Sequence, residues 1–207
     1  MKIINRLRAM PVTMVLIGIN VLFFGYTALT GMDIWQGNGG QLLHLGANYW
    51  PLTISSHQYW RLLSSMFLHA GLFHLCTNMI GLFIGGFFLE PVIRSGKYGC
   101  AYIVTGIVSD YMSIWYHQSA VGVGASGAIF GIFGVFLALL TTPLFRREVR
   151  KDFLAYIGIF IVLNVIAAVV SEGVDNAAHL AGFLSGAMMG YIFFFTLTGA
   201  DGERLSR

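Results

Sequence analysis

The run GASGAIFGIFGVFLALLT, residues 124–141, decides the fold class. Glycines stand at 124, 127, 131 and 134, apolar side chains fill every position between them but 126, and no charge interrupts the run. A second run, AAHLAGFLSGAMMG at 177–190, places Ala178, Gly182, Gly186 and Gly190 four residues apart. Small residues at this spacing let two membrane helices pack with their backbones close. Each run carries one conspicuous polar side chain near its start, Ser126 in the first and His179 in the second. A polar residue at membrane depth is costly unless partnered, and by default marks a functional site.

Composition supports a membrane reading throughout. Of the 207 residues, 57% are hydrophobic and 10% charged, against about 25% charged in ordinary soluble domains, and the mean hydropathy is +0.74. Six apolar segments match about 30 Å of hydrocarbon at about 1.5 Å per helical residue: 11–30, 71–89, 99–115, 126–141, 153–170 and 177–197. The third, fourth and fifth are short. The expected fold class is therefore all-α, a polytopic bundle of six membrane helices forming one domain over 1–207. All of the 12 basic residues except Arg61 fall before the first span, in alternate loops, or after the last. The positive-inside rule then makes both termini cytoplasmic and turns the loops of Asp33, His117, Glu172 and Asp175 outward. Met1 to Arg8 is short and basic, without a cleavage site of small residues behind it, so the first helix is expected to be retained. A bacterial or archaeal plasma membrane is the expected home.

The outer segment from Gly31 to Ala70 is too long and polar for a tight turn, yet carries Tyr49, Trp50, Tyr59 and Trp60. Aromatic residues of this kind favour the membrane interface, which predicts a first outer loop embedded in the outer leaflet. Cys76 and Cys100 form no metal-ligand or disulfide spacing and read as packing residues. Neither a metal, a cofactor nor a nucleic-acid partner is expected.

Within this frame Ser126 is a candidate nucleophile and His179 its candidate base, since a serine hydroxyl needs a nearby imidazole to act. Alone, Ser126 reads as a packing serine among glycines and His179 as a satisfied polar side chain; together they favour chemistry. Gly124 permits a tight turn before Ser126, and the unpaired amides of a helix start would face an incoming oxyanion. His74 and Asn78, at i and i+4, share a helix face and suit the same oxyanion as side-chain donors. His69 reads as a structural hydrogen-bonding residue, and His44, His57 and His117 as outer-loop residues. A soluble hydrolase is excluded, because GxSxG between strand and helix is absent and position 128 is alanine. A transporter would show inverted repeats and mid-membrane charge; no repeat is visible, and Asp110 is the only mid-span charge. Three readings of Asp110 stand: a solvated group at the outer mouth, a structural partner of a tyrosine or histidine, or an orienter of His179.

Trp60-Arg61, His69, the HxxxN of His74 to Asn78, Gly85-Gly86 with Glu90, the GASG of 124–127 and the AHxxGxxxG of 178–186 resemble, in order and spacing, the rhomboid family of intramembrane serine proteases. The similarity extends over nearly the whole chain. It implies a six-helix rhomboid bundle without the extra amino-terminal domain and seventh span of some relatives. It also implies a Ser126–His179 dyad, an oxyanion site of the Ser126 amide, His74 and Asn78, and active-site support from Gly124, Gly182 and Phe130, the last packed on the His179 ring. Substrate entry would be gated by the fifth span and the Glu172 loop. Implied substrates are single-pass membrane proteins cut near the outer end of their span, within the lipid bilayer. A catalytically inactive rhomboid-like quality-control factor is the alternative. Asp110 departs from the family, which carries a small residue there.

Overall fold

A computed structural model describes residues 7–145, 148, 150–151, 153–155, 157–159, 162 and 175–201, with side chains to Leu197. The helices, in chain order, are α1 (Pro11–Leu29), α2 (Gly39–Leu45), α3 (Arg61–Ser64), α4 (Leu72–Ile93), α5 (Ser95–Tyr116), α6 (Ser126–Thr141) and α7 (Asn176–Asp201). A π-helical turn at Pro51–Ser55 and a 3₁₀ turn at Ser65–Phe67 complete the segment between α1 and α4. No strand occurs among the described residues; one isolated antiparallel pair joins Asn48 to Gly122. The expected span at 153–170 and the Glu172 loop fall largely outside the described residues.

Helices α1, α4 and α7 (to Leu197) are long and apolar enough to cross a membrane, and α6 is a shorter apolar helix. Two of the expected spans are longer than hydropathy indicated: α4 runs on past Leu89 through Glu90 to Ile93, and α5 begins at Ser95. Hydropathy marks the apolar stretch, whereas helical hydrogen bonding continues through polar residues whose side chains find partners.

The helices are apolar on the outside. In α1 the buried positions Thr13, Leu16, Asn20, Phe24 and Thr27 follow helical spacing and include three polar residues. Leu22 and Leu29, 73% and 89% exposed, face outward. Water would reverse this arrangement; hydrocarbon permits it, provided each inward polar group is satisfied within the protein. Thr27 and Asn20 accordingly donate to carbonyls of their own helix, Phe24 O and Leu16 O.

Helix α6 is the central element, buried along most of its length. Its glycines let α7 approach backbone to backbone. A methyl added at Gly182 would overlap the Gly127 carbonyl, one at Gly186 the Gly131 carbonyl, and one at Gly134 the Phe183 carbonyl. On the other side of α6, Gly127 and Gly131 accept the Ser109 and Thr105 side chains of α5 in the same way.

Two buried charged residues lock the periphery to this core. Glu90, fully buried in α4, accepts from the Val12 and Thr13 amides at 2.9 and 2.8 Å, from Thr13 Oγ1 at 2.6 Å and from Ser95 Oγ at 2.7 Å. It thereby satisfies the otherwise unpaired start of α1. Arg61 donates to the Leu43 and Ala47 carbonyls at 2.7 and 2.9 Å and to Gln58 Oε1 at 2.7 Å, folding α2 against α3.

Candidate active site

Ser126 is the first residue of α6, reached through Gly124, whose φ of +122° is a conformation that L side chains rarely adopt. His179 stands in the first turn of α7. The tight α6–α7 seam brings the two helix starts together, and His179 Nε2 lies 2.9 Å from Ser126 Oγ. Both residues are half-buried. In the tautomer protonated at Nδ1, Nε2 accepts the serine hydroxyl hydrogen. Phe130, one turn after Ser126, stacks on the imidazole with centroids 4.2 Å apart and planes 14° from parallel.

The opposite wall comes from α4. The position a Gly124 Cβ would take lies 2.8 Å from His74 Nε2 and 3.7 Å from Asn78 Nδ2. Both side chains therefore border the turn that precedes Ser126, and glycine is required there for space as well as for conformation. Asn78 Nδ2 donates to the His74 carbonyl at 3.0 Å, using one of its two hydrogens. His69 is buried edge-on to His74, ring centroids 5.1 Å apart.

Several supporting residues were not singled out in the sequence. Asp175 Oδ1 accepts from the Ala178 amide at 2.8 Å and its carbonyl from the His179 amide at 3.1 Å. Ser113 of α5 donates to Asp175 Oδ2, and Ser109 of α5 donates to the Ala178 carbonyl at 2.8 Å. The turn that delivers His179 is thus tied to α5 on both sides. An aspartate three residues before a helical amide is a capping signature, so Asp175 was legible in principle; the serines had no signal. His117 Nε2 approaches Asp175 Oδ1 at 3.7 Å. Asp110 is half-buried, with Ser65 Oγ 2.5 Å from its Oδ2, and among the described residues no hydrogen bond joins its side chain to His179 or to a tyrosine. Among the described residues no group of three His, Cys, Asp or Glu side chains is arranged to hold a metal.

Fold and site define the class as a multi-pass helical membrane protein with a serine and a histidine in contact at two helix starts. The Rhomboid domain model matches residues 56–195, and the chain belongs to the rhomboid family, which includes intramembrane proteases. RHOMBOID-like protein 2 of Arabidopsis thaliana is 34% identical over 169 residues, covering 82% of this chain and 53% of that protein. Rhomboid protease GluP of Bacillus subtilis is 29% identical over 197 residues, covering 93% of this chain and 37% of that protein. Inactive RHOMBOID-like protein 8 of Arabidopsis thaliana is 26% identical over 162 residues, covering 78% and 46%. The chain spans about half the length, or less, of these relatives.

Proposed function

We propose that the chain is an intramembrane serine endopeptidase that hydrolyses peptide bonds in or near the transmembrane segment of single-pass membrane proteins. The observation that carries this reading is the 2.9 Å contact between His179 Nε2 and Ser126 Oγ. His179 takes the hydroxyl proton as Ser126 Oγ attacks the scissile carbonyl, then returns it to the leaving amine. Water repeats the sequence on the acyl-enzyme. The oxyanion is held by the Ser126 amide with His74 and Asn78, where a single well-placed donor contributes about 3 to 4 kcal/mol to lowering the barrier. Phe130 holds the imidazole plane, and Gly124 and Gly182 admit the close approaches on which the geometry depends.

The reading places six spans in one rhomboid domain over 1–207, both termini in the cytoplasm of a prokaryotic cell and the Gly31–Ala70 segment in the outer leaflet. Helix α6, with 16 residues, is about 24 Å long, short of about 30 Å of hydrocarbon. On this orientation, with its Thr141 end near the cytoplasmic surface, its start lies below the outer surface, at the depth where a transmembrane substrate presents its outer end.

A fluorophosphonate probe tests the assignment in detergent-solubilised protein. Covalent labelling that disappears in Ser126→Ala supports it. Absence of labelling in folded wild-type protein favours a rhomboid-like factor that binds membrane helices without cutting them.

A further inference from the structure

Asp110 is the acidic group that the mechanism leaves unused. Its Oδ2 lies 2.5 Å from Ser65 Oγ, and that same hydroxyl lies 2.5 Å from the Arg61 carbonyl oxygen. A serine hydroxyl has one hydrogen, and a carbonyl can only accept. With that hydrogen on Arg61 O, the Asp110 contact needs a hydrogen of its own, and the carboxyl group is its source. An ionised Asp110 would leave one of the two contacts as bare oxygen against oxygen, well inside hydrogen-bond distance. No cation compensates it: among the described residues Asp110 forms no ion pair, and the Arg61 guanidinium is directed at Leu43, Ala47 and Gln58. An unpaired carboxylate at membrane depth is disfavoured.

What Asp110 holds lies next to Ser126. The Ser65 carbonyl accepts the Gly124 amide at 2.9 Å. The Asp110 main-chain carbonyl accepts Asn48 Nδ2 at 2.8 Å, and Asn48 exchanges main-chain hydrogen bonds of 2.9 and 2.8 Å with Gly122. Two routes from one residue thus reach Gly122 and Gly124, the second of which stands two positions before Ser126.

We propose that Asp110 is a positioning residue for the Ser126 turn and works as a neutral carboxylic acid that donates to Ser65. It touches no substrate; its side chain acts through Ser65, while its main-chain carbonyl, which any residue at 110 would supply, holds Asn48. Its kinetic consequences rest on Ser126 being the nucleophile; its protonation and its hold on the turn do not.

Asp110→Asn keeps the shape and offers an amide hydrogen to Ser65. Its kcat toward a transmembrane substrate stays within about threefold of wild type, one neutral donor replacing another. Asp110→Ala loses about ten- to a hundredfold in kcat, the scale of a misplaced reacting group, with KM little changed; adding Ser65→Ala makes little further difference. Two readouts are independent of turnover. Infrared difference spectra of wild type against Asp110→Asn should contain the C=O stretch of a protonated carboxylic acid, and amide exchange at Gly124 should quicken in Asp110→Ala but not in Asp110→Asn. Carboxylate bands in the difference spectrum, or an Asp110→Asn variant as impaired as Asp110→Ala, would overturn the neutral donor. Unchanged exchange and kcat in folded Asp110→Ala would overturn the positioning role. An inactive wild type with both independent readouts as expected counts against the protease assignment alone and upholds the role of Asp110.

Discussion

Ser126 and His179 are 53 positions apart in the chain, yet the imidazole Nε2 stands 2.9 Å from the serine oxygen. The contact is made by a backbone seam: Gly182, one turn beyond His179, lies against the Gly127 carbonyl, and Gly186 against that of Gly131. Two helices that share so close an interface deliver their first turns to one point.

If the pair acts as a unit, Ser126→Ala and His179→Ala each abolish cleavage of a model transmembrane substrate, and the double variant is no worse than either single one. Turnover in proteoliposomes measures this. A His179→Ala enzyme with most of its activity left would remove His179 as the base.

His74 and Asn78 border the Gly124 turn and are assigned to developing negative charge. Each alanine variant should lose roughly ten- to a thousandfold in kcat, with a smaller change in KM. Thermal stability measured alongside separates the roles. A fall in activity that tracks lost stability would mean that the two side chains hold α4 in place and leave the oxyanion to backbone amides.

The seam itself is testable. Gly182→Ala forces a methyl into the Gly127 carbonyl, and Gly186→Ala does the same against Gly131. The obstructing atoms are backbone and cannot rotate away, so each variant loses on the order of 1–3 kcal/mol or more, as overpacked cores do. Both should melt at lower temperature. Gly182→Ala should also lose more kcat per folded molecule, because its clash lies one turn from His179.

Glu90 predicts a stability effect remote from the site. Its two oxygens accept from four donors, at Val12, Thr13 and Ser95. Glu90→Ala leaves buried donors unpaired and should cost on the order of 3 kcal/mol. Glu90→Gln should not rescue it, since one acceptor becomes an amide nitrogen facing donors. Equal melting temperatures for Glu90→Gln and wild type would show that α1 is held by other contacts.

The orientation read from the basic residues is checked with single cysteines in a background lacking Cys76 and Cys100, both exposed. Membrane-impermeant reagent added outside intact cells should modify Ser119→Cys and Glu172→Cys but not Arg147→Cys. The reverse pattern would turn the Ser126 mouth toward the cytoplasm.

The sequence alone determined the class and picked out the serine and the histidine that the proposed chemistry uses. Small residues every four positions, a serine at the start of one apolar run and a histidine at the start of another, and an HxxxN on a third are local facts, carried by spacing along a helix. Such patterns survive because hydrocarbon enforces helix and leaves only faces to be chosen. Tertiary structure decided what those faces meet. That Gly182 rests on Gly127, that Glu90 caps α1, that Ser109 and Ser113 of α5 brace the turn before His179, and that Asp110 meets Ser65 depend on residues tens of positions apart. Serines and threonines give no warning of this in the sequence, since the same side chain can satisfy itself on its own helix, as Thr27 does, or reach across to another, as Ser109 does. Which it does is fixed by the distance to the neighbouring backbone, and that distance exists only once the helices have packed.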